Sequence, residues 1–246
     1  MSNLFYAYAK QVGDVEHARF LIVFASRAVA DEWWRAVSTS PDTAYSSKIT
    51  RVTPQFYTHA EGGNIIDSIS MDNVAKDFVD LVVFTLLDDR NGRTFSMIPQ
   101  GPDPITDYIS YNWFYIRSKS DRNVYWYSTV KGDKEANEGT IVASCTRSTR
   151  FRVTTRDENL NGKVMINSDE IQFQLGTLSL NVADNGSLRA SGKPENFLFR
   201  DLTNGFIISG NNMRQIDGLP RNAIVKVSDG SGEAWELVMN GRVYDE

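Results

Sequence analysis

The stretch Asn112–Thr155, NWFYIRSKSDRNVYWYSTVKGDKEANEGTIVASCTRSTRFRVTT, decides the fold. Four runs in it, Trp113–Arg117, Val124–Thr129, Thr140–Cys145 and Thr149–Thr155, are rich in aromatic or β-branched residues. Clusters of Ser, Asp, Asn, Gly or Lys bound them, which is the pattern of short strands joined by turns. A fainter copy of its second half follows twice. Val142-Ala143-Ser144 lies seven residues before Phe151, Arg189-Ala190-Ser191 eight before Phe199, and Lys226-Val227-Ser228 seven before Trp235. The three aromatics are 48 and 36 residues apart. This spacing predicts a unit of about forty residues occurring three times, and a repeat of that length dictates architecture.

Outward from this stretch, no convincing helical pattern follows. Asn-Gly occurs at 161–162, 185–186, 204–205 and 240–241, and Asp-Gly at 217–218 and 229–230. These dipeptides separate runs such as EIQFQL, TLSLNV and AIVKVS, as expected of many short antiparallel strands. Together with the threefold spacing, residues 104–246 resemble a β-trefoil, the fold of ricin-B-type and many fungal lectins. The resemblance implies about twelve strands in three units and a binding role. The Gln-x-Trp signature of ricin-B-type repeats is missing, so their galactose pocket is not implied. A β-sandwich or an irregular barrel would give the same strand signals.

Upstream the pattern changes. Leu4–Ala9 and Arg19–Ala25 read as strands, the second too continuously apolar for a wet face. Ser26 offers an N-cap to a helix over Arg27–Val37, with Val29, Trp33, Ala36 and Val37 on one face. Of the adjacent tryptophans, Trp33 is expected in the core and Trp34 at the margin of the domain. Ile49–His59 is strand-like, with Pro54 marking an edge or bulge. Ser70 is placed to cap a short helix whose Met71, Val74 and Phe78 share a face. Asp80–Leu87 and Arg93–Ile98 read as a hairpin across Asn91-Gly92. The order predicts an α+β domain over residues 1–103. Three of the seven prolines fall in Pro99–Pro104, which marks the boundary with the all-β domain over 104–246.

Composition excludes several function classes. The 246 residues carry a net charge of −5 and are 41 % hydrophobic and 11 % aromatic, enough to build substantial cores. Residues 1–105 hold 9 Lys/Arg against 13 Asp/Glu, and 106–246 hold 17 against 18, so neither part attracts nucleic acid through net charge. Nothing resembles a signal peptide or an apolar membrane span. The single cysteine, Cys145, rules out an internal disulfide. It reads as a small buried core residue, and the expected compartment is the cytoplasm.

Catalytic chemistry has little to build on. His17 and His59 are the only histidines, without flanking metal-ligand spacing, and no Gly-x-Ser-x-Gly turn occurs. The carboxylate pairs Asp88/Asp89, Asp157/Glu158 and Asp169/Glu170 lie in turn sequences. Arg150, Arg152 and Arg156 share parity along RFRVTTR, with Arg147 just before them, and a solvated strand face explains them most simply. No cofactor is expected. The densest feature is aromatic: Tyr108, Tyr111, Trp113, Phe114, Tyr115, Tyr125, Trp126 and Tyr127 occupy twenty residues. Alternation places Trp113 and Tyr115 opposite Phe114, and Tyr125 and Tyr127 opposite Trp126, so part of the set must face outward or fill a contact between domains.

These residues point to a non-enzymatic binding protein with lectin-like carbohydrate recognition in the C-terminal β domain. The expected ligand site is Asp121, Asn123, Trp126 and Tyr127, a ring platform beside polar turn residues. The alternative is a protein–protein interaction or inhibitor module that uses the β-domain loops, with Gly132–Gly139 as contact surface. Partners are then a glycan or a protein, with a homo-oligomer possible for avidity.

Overall fold

The computed structural model describes residues 4–13, 18–70, 72–87, 104–130, 139–216 and 219–241. The chain divides into two compact units, 1–107 and 108–246.

The first unit is a mixed five-stranded sheet. Its strands are β1 (Phe5–Gln11), β2 (Arg19–Phe24), β3 (Ile49–Thr53), β4 (Phe56–His59) and β5 (Val82–Leu86), in the order β3-β4-β1-β2-β5. β1 and β4 are parallel and the other pairs antiparallel. Pro54, which cannot donate to a ladder, sits in the turn that separates β3 from β4. Helix α1 (Arg27–Ser38) starts where Ser26 Oγ accepts the Val29 N–H at 3.2 Å. Trp33 is wholly buried among Phe24, Tyr57 and Phe84, and its indole N–H donates to Ser68 Oγ at 3.1 Å; Trp34 is half-buried. A second helix, α2 (Thr43–Ser46), is a single turn.

Two charged positions of α1 also turn inward. Arg51 of β3 lies 2.7 Å from Asp31 Oδ1 and 2.9 Å from Asp107 Oδ1 through the same nitrogen, Nη2. Arg27 Nε holds the other Asp31 oxygen at 2.8 Å, and Arg27 Nη2 donates to the Thr106 carbonyl at 3.0 Å. Tyr57 beside them is fully buried, and that desolvation pushes its hydroxyl pKa above the ordinary tyrosine value.

Among its described residues, the regular structure of the second unit is β apart from the single turn α3 (Asp201–Asn204) and one 3₁₀ segment, Glu158–Leu160. In chain order its strands are β6 (Asn112–Ser118), β7 (Tyr125–Ser128), β8 (Gly139–Ser144), β9 (Arg150–Thr155), β10 (Glu170–Leu175), β11 (Leu178–Val182) and β12 (Leu188–Ser191). There follow β13 (Phe197–Leu198), β14 (Phe206–Ile216), β15 (Leu219–Lys226) and β16 (Trp235–Val238). The order β12-β11-β10-β9-β6-β7-β8 closes on itself through β12–β8 pairing and forms a seven-stranded barrel. β15 and β14 continue from β8, β13 pairs with β10, and β16 with β6. Closure removes the free ends of the seven-strand path, and every strand of the unit contributes to a common core.

This architecture corrects the expected fold class, an α+β domain over 1–103 followed by an all-β, trefoil-like domain over 104–246. Among the described residues strand far outweighs helix, and the three α-helices span 12, 4 and 4 residues. The stretch after Ser70 does not form the expected helix. Asp72 takes a positive φ of 67°, a conformation its short polar side chain tolerates but a helix does not, and 3₁₀ turns form at Ile66–Ile69 and Lys76–Phe78 instead. The three aromatics aligned as repeats are all buried but occupy unlike positions. Phe151 is in barrel strand β9, Trp235 in β16 beside the barrel, and Phe199 follows β13 outside any strand. The hairpin partner Arg93–Ile98, the segment Pro99–Asp103 and most of Gly132–Gly139 lie outside the described residues. Among the described residues, no helix is long and apolar enough to cross a membrane.

Candidate binding face

The expected site does not assemble around Trp126. Its ring is completely buried at the centre of the barrel, with Phe206 at 5.0 Å, Phe173 and Trp235 at 5.7 Å and Phe151 at 6.4 Å. A ring enclosed on these sides offers no face to a sugar. Asp121 and Asn123 are exposed in the β6–β7 turn, where Asp121 Oδ1 accepts the Asn123 N–H at 2.9 Å, an ordinary Asx turn. Tyr127 points to the opposite side of β7 from Trp126, half-buried. Its ring centre is 5.8 Å from the Arg147 guanidinium and 5.4 Å from that of Arg221, and its hydroxyl accepts from Arg147 Nη1 at 3.3 Å. Arg221 is buried and donates to Ser144 Oγ and Thr146 Oγ1, which makes this cluster a clamp on the β8 turn. Cys145 lies in that turn, one residue beyond the end of β8. It is therefore exposed rather than part of the core.

The structure instead brings together rings and arginines on the outer face of β6 and β9. Strand alternation sends Phe114, Ile116, Phe151 and Val153 inward, and Trp113, Tyr115, Arg150 and Arg152 outward. The register sets Trp113 opposite Arg152 and Tyr115 opposite Arg150. The Arg152 guanidinium lies 4.7 Å from the centre of the Tyr111 ring and 4.9 Å from that of Trp113. Its Nη1 also reaches the Tyr111 hydroxyl at 3.5 Å, while Nε is buried without a hydrogen-bond partner. Arg150, more exposed, stands 6.0 Å from the Tyr115 ring. A Cβ at Gly241 would fall 2.4 Å from Tyr115 Cε1, so backbone approaches this ring closely.

Tyr111 is the unusual member. It is 53 % exposed and has a φ of +70°, rare for an aromatic residue. Its neighbourhood holds it there: the Tyr111 N–H donates to the Val153 carbonyl at 2.7 Å. Ser110 Oγ accepts the Thr155 N–H at 3.0 Å and contacts Thr155 Oγ1 at 3.1 Å. Such a conformation persists only where surrounding contacts over-determine it, and such positions cluster at functional sites.

Charge pairing separates the arginines of β9 from their neighbour. Arg156 is neutralised by Glu170, Nη1 to Oε2 at 2.7 Å. Neither Arg150 nor Arg152 has a carboxylate at ion-pair distance among the described residues, and the sequences of β6 and β9 contain no acid. Two clefts of about 380 Å³ lie elsewhere on the barrel unit. One is lined by Thr155, Arg156, Asp169 and Glu170, the other by Thr140, Asp184, Asn185 and Arg189, and no aromatic ring lines either.

Parity along β9 was enough to place its arginines outward, whereas parity along β6 only set Trp113 and Tyr115 opposite Phe114, and burial of Phe114 shows which side is the core. The sequence carried no sign that these two strands are neighbours, and so none of the ring–guanidinium stacks. Compared with protein-family models and with curated proteins, the chain has no match.

Proposed function

We propose that the barrel unit is a non-enzymatic binding module, lectin-like in recognising carbohydrate, with its site at Tyr111, Trp113 and Arg152. The observation that carries the reading is a guanidinium 4.7 and 4.9 Å from the centres of two rings, one of them half-exposed and held at a positive φ. A ring fixed by backbone contacts gives a sugar an apolar face at little entropic cost, and a fixed guanidinium supplies directional donors. The test is a glycan array probed with the protein and with Tyr111→Ala. Specific signals that the variant loses support the reading. A blank array, or signals the variant keeps, sinks it.

Recognition of a protein partner is the second reading, favoured by one observation: Tyr, Trp and Arg, the residue types that dominate protein hot spots, are gathered on this face. In that case a partner recovered from a native extract would be lost by both Tyr111→Ala and Arg152→Ala.

A further inference from the structure

We infer that the ligand of the β6–β9 face is an acidic glycan, one whose sugar rings carry an oxyanion, either a uronate carboxylate or a sulfate ester, that Arg152 and Arg150 take up. The inference rests on the carbohydrate reading above and narrows it. Its basis is the balance of donors and acceptors. A neutral sugar presents hydroxyls that both donate and accept, and a site for it needs acceptors as well as donors. Arginine has five N–H donors and no acceptor. On this face β6 and β9 supply no carboxylate, and the acceptors beside Arg152 are neutral: the Tyr111 hydroxyl, which already takes one bond from it, and Gln174 opposite it on β10. A surface whose charged groups are all donors favours an acceptor-only anion over a neutral hydroxyl, which gains no charge-assisted bond from its own proton here.

The arginines are also prepared for this. Long side chains lose rotamer freedom when they bind, but Arg152 already contacts the Tyr111 and Trp113 rings, so less remains to be lost. Planar guanidinium against planar carboxylate permits two parallel hydrogen bonds, which a lysine ammonium cannot reproduce. Arg156, four residues beyond Arg152 and just past the end of β9, is excluded because Glu170 already occupies it. The near-neutral balance of residues 106–246, 17 basic against 18 acidic, means that recognition depends on these local groups and not on a long-range field.

The experiment measures binding of the full chain to two matched pairs of immobilised polysaccharide: polygalacturonate with its methyl ester, and dextran sulfate with dextran. At least one acidic member is expected to bind tenfold or more tightly than its neutral counterpart, the scale of one charge-assisted hydrogen bond. The pair that responds identifies carboxylate or sulfate. Arg152→Lys keeps the charge but loses the planar fork, and is expected to weaken acidic binding on the order of tenfold. Arg150→Ala, at an exposed position, tests the same site without risk to folding and should weaken it severalfold. Equal binding within both pairs, lost in Tyr111→Ala, overturns the acidic preference and leaves the carbohydrate reading standing. Acidic binding that survives both arginine substitutions also overturns it, because the charge is then read elsewhere. Failure of all four polysaccharides, together with a blank glycan array, removes the carbohydrate reading itself.

Discussion

Trp126 lies at the meeting point of Phe151, Phe173, Phe206 and Trp235, and its substitution is the most direct probe of the barrel core. Trp126→Ala leaves a large cavity among rings that cannot collapse into it, and should lower stability by about 3–5 kcal/mol in chemical denaturation. Trp126→Phe should cost clearly less. The indole N–H is buried without a partner, a burden that phenylalanine does not carry. Equal losses in the two variants would show that the N–H is satisfied and that ring size alone matters. Glu32 on α1 poses a different question at the same scale. Partial burial, then the charge of Asp31 beside it, raises its carboxyl pKa above the ordinary 4.5. A carboxyl whose pKa is raised on folding favours the folded state while protonated and loses that contribution as pH rises through the folded value. Glu32→Gln is therefore expected to raise the thermal midpoint at pH 7, and the gain should shrink as the pH falls below the ordinary glutamate range. A gain unchanged at acid pH would assign the effect to packing.

At the scale of the strand, β6 shows what alternation does and does not tell. Its inward and outward residues follow the period of two, and the capped start of α1 follows from Ser26, because both signals are local. Trp126 is not the exposed platform expected of it for a related reason. Period two divides Trp126 from Tyr125 and Tyr127 but does not say which side is the core; enclosure by four other rings decides it. The site at the start of β6 was hidden more deeply. Tyr111 takes a left-handed conformation usually left to glycine or asparagine, imposed by hydrogen bonds to Thr155 and Val153 some forty residues away. This leads to an element-level prediction. Tyr111→Gly should be more stable than Tyr111→Ala by about 1 kcal/mol, since glycine alone adopts positive φ without penalty. Both variants lose the ring over Arg152, so both should lose ligand. Alanine matching glycine in stability would mean that the backbone at Tyr111 relaxes and that no strain is held there.

At the scale of the whole chain, the abundance of strands was legible and their closure was not. The barrel closes where Thr140 meets Arg189 and Gly139 meets Ala190, a pairing between segments fifty residues apart that local patterns do not record. The spacing of Phe151, Phe199 and Trp235 suggested three equal units, but burial of a large aromatic is a common outcome that unlike positions share. Where the first unit ends is set by charge. Asp107 and the Thr106 carbonyl complete the buried group of Arg51, Asp31 and Arg27, so residues 104–107 act as part of the first unit although they follow the proline-rich segment. Arg51 is almost wholly buried, with Nε and Nη1 lacking hydrogen-bond partners, and depends on those two carboxylates for compensation. Removing one partner of a buried charge leaves its desolvation unpaid. A fragment of residues 1–107 should therefore unfold cooperatively. A fragment of residues 1–103 should be less stable by about 1–3 kcal/mol, since Asp31 still neutralises Arg51 in part. Asp107→Ala in the longer fragment should reproduce most of that loss. Equal denaturation midpoints for the two fragments would show that Arg51 is sufficiently paired by Asp31 alone.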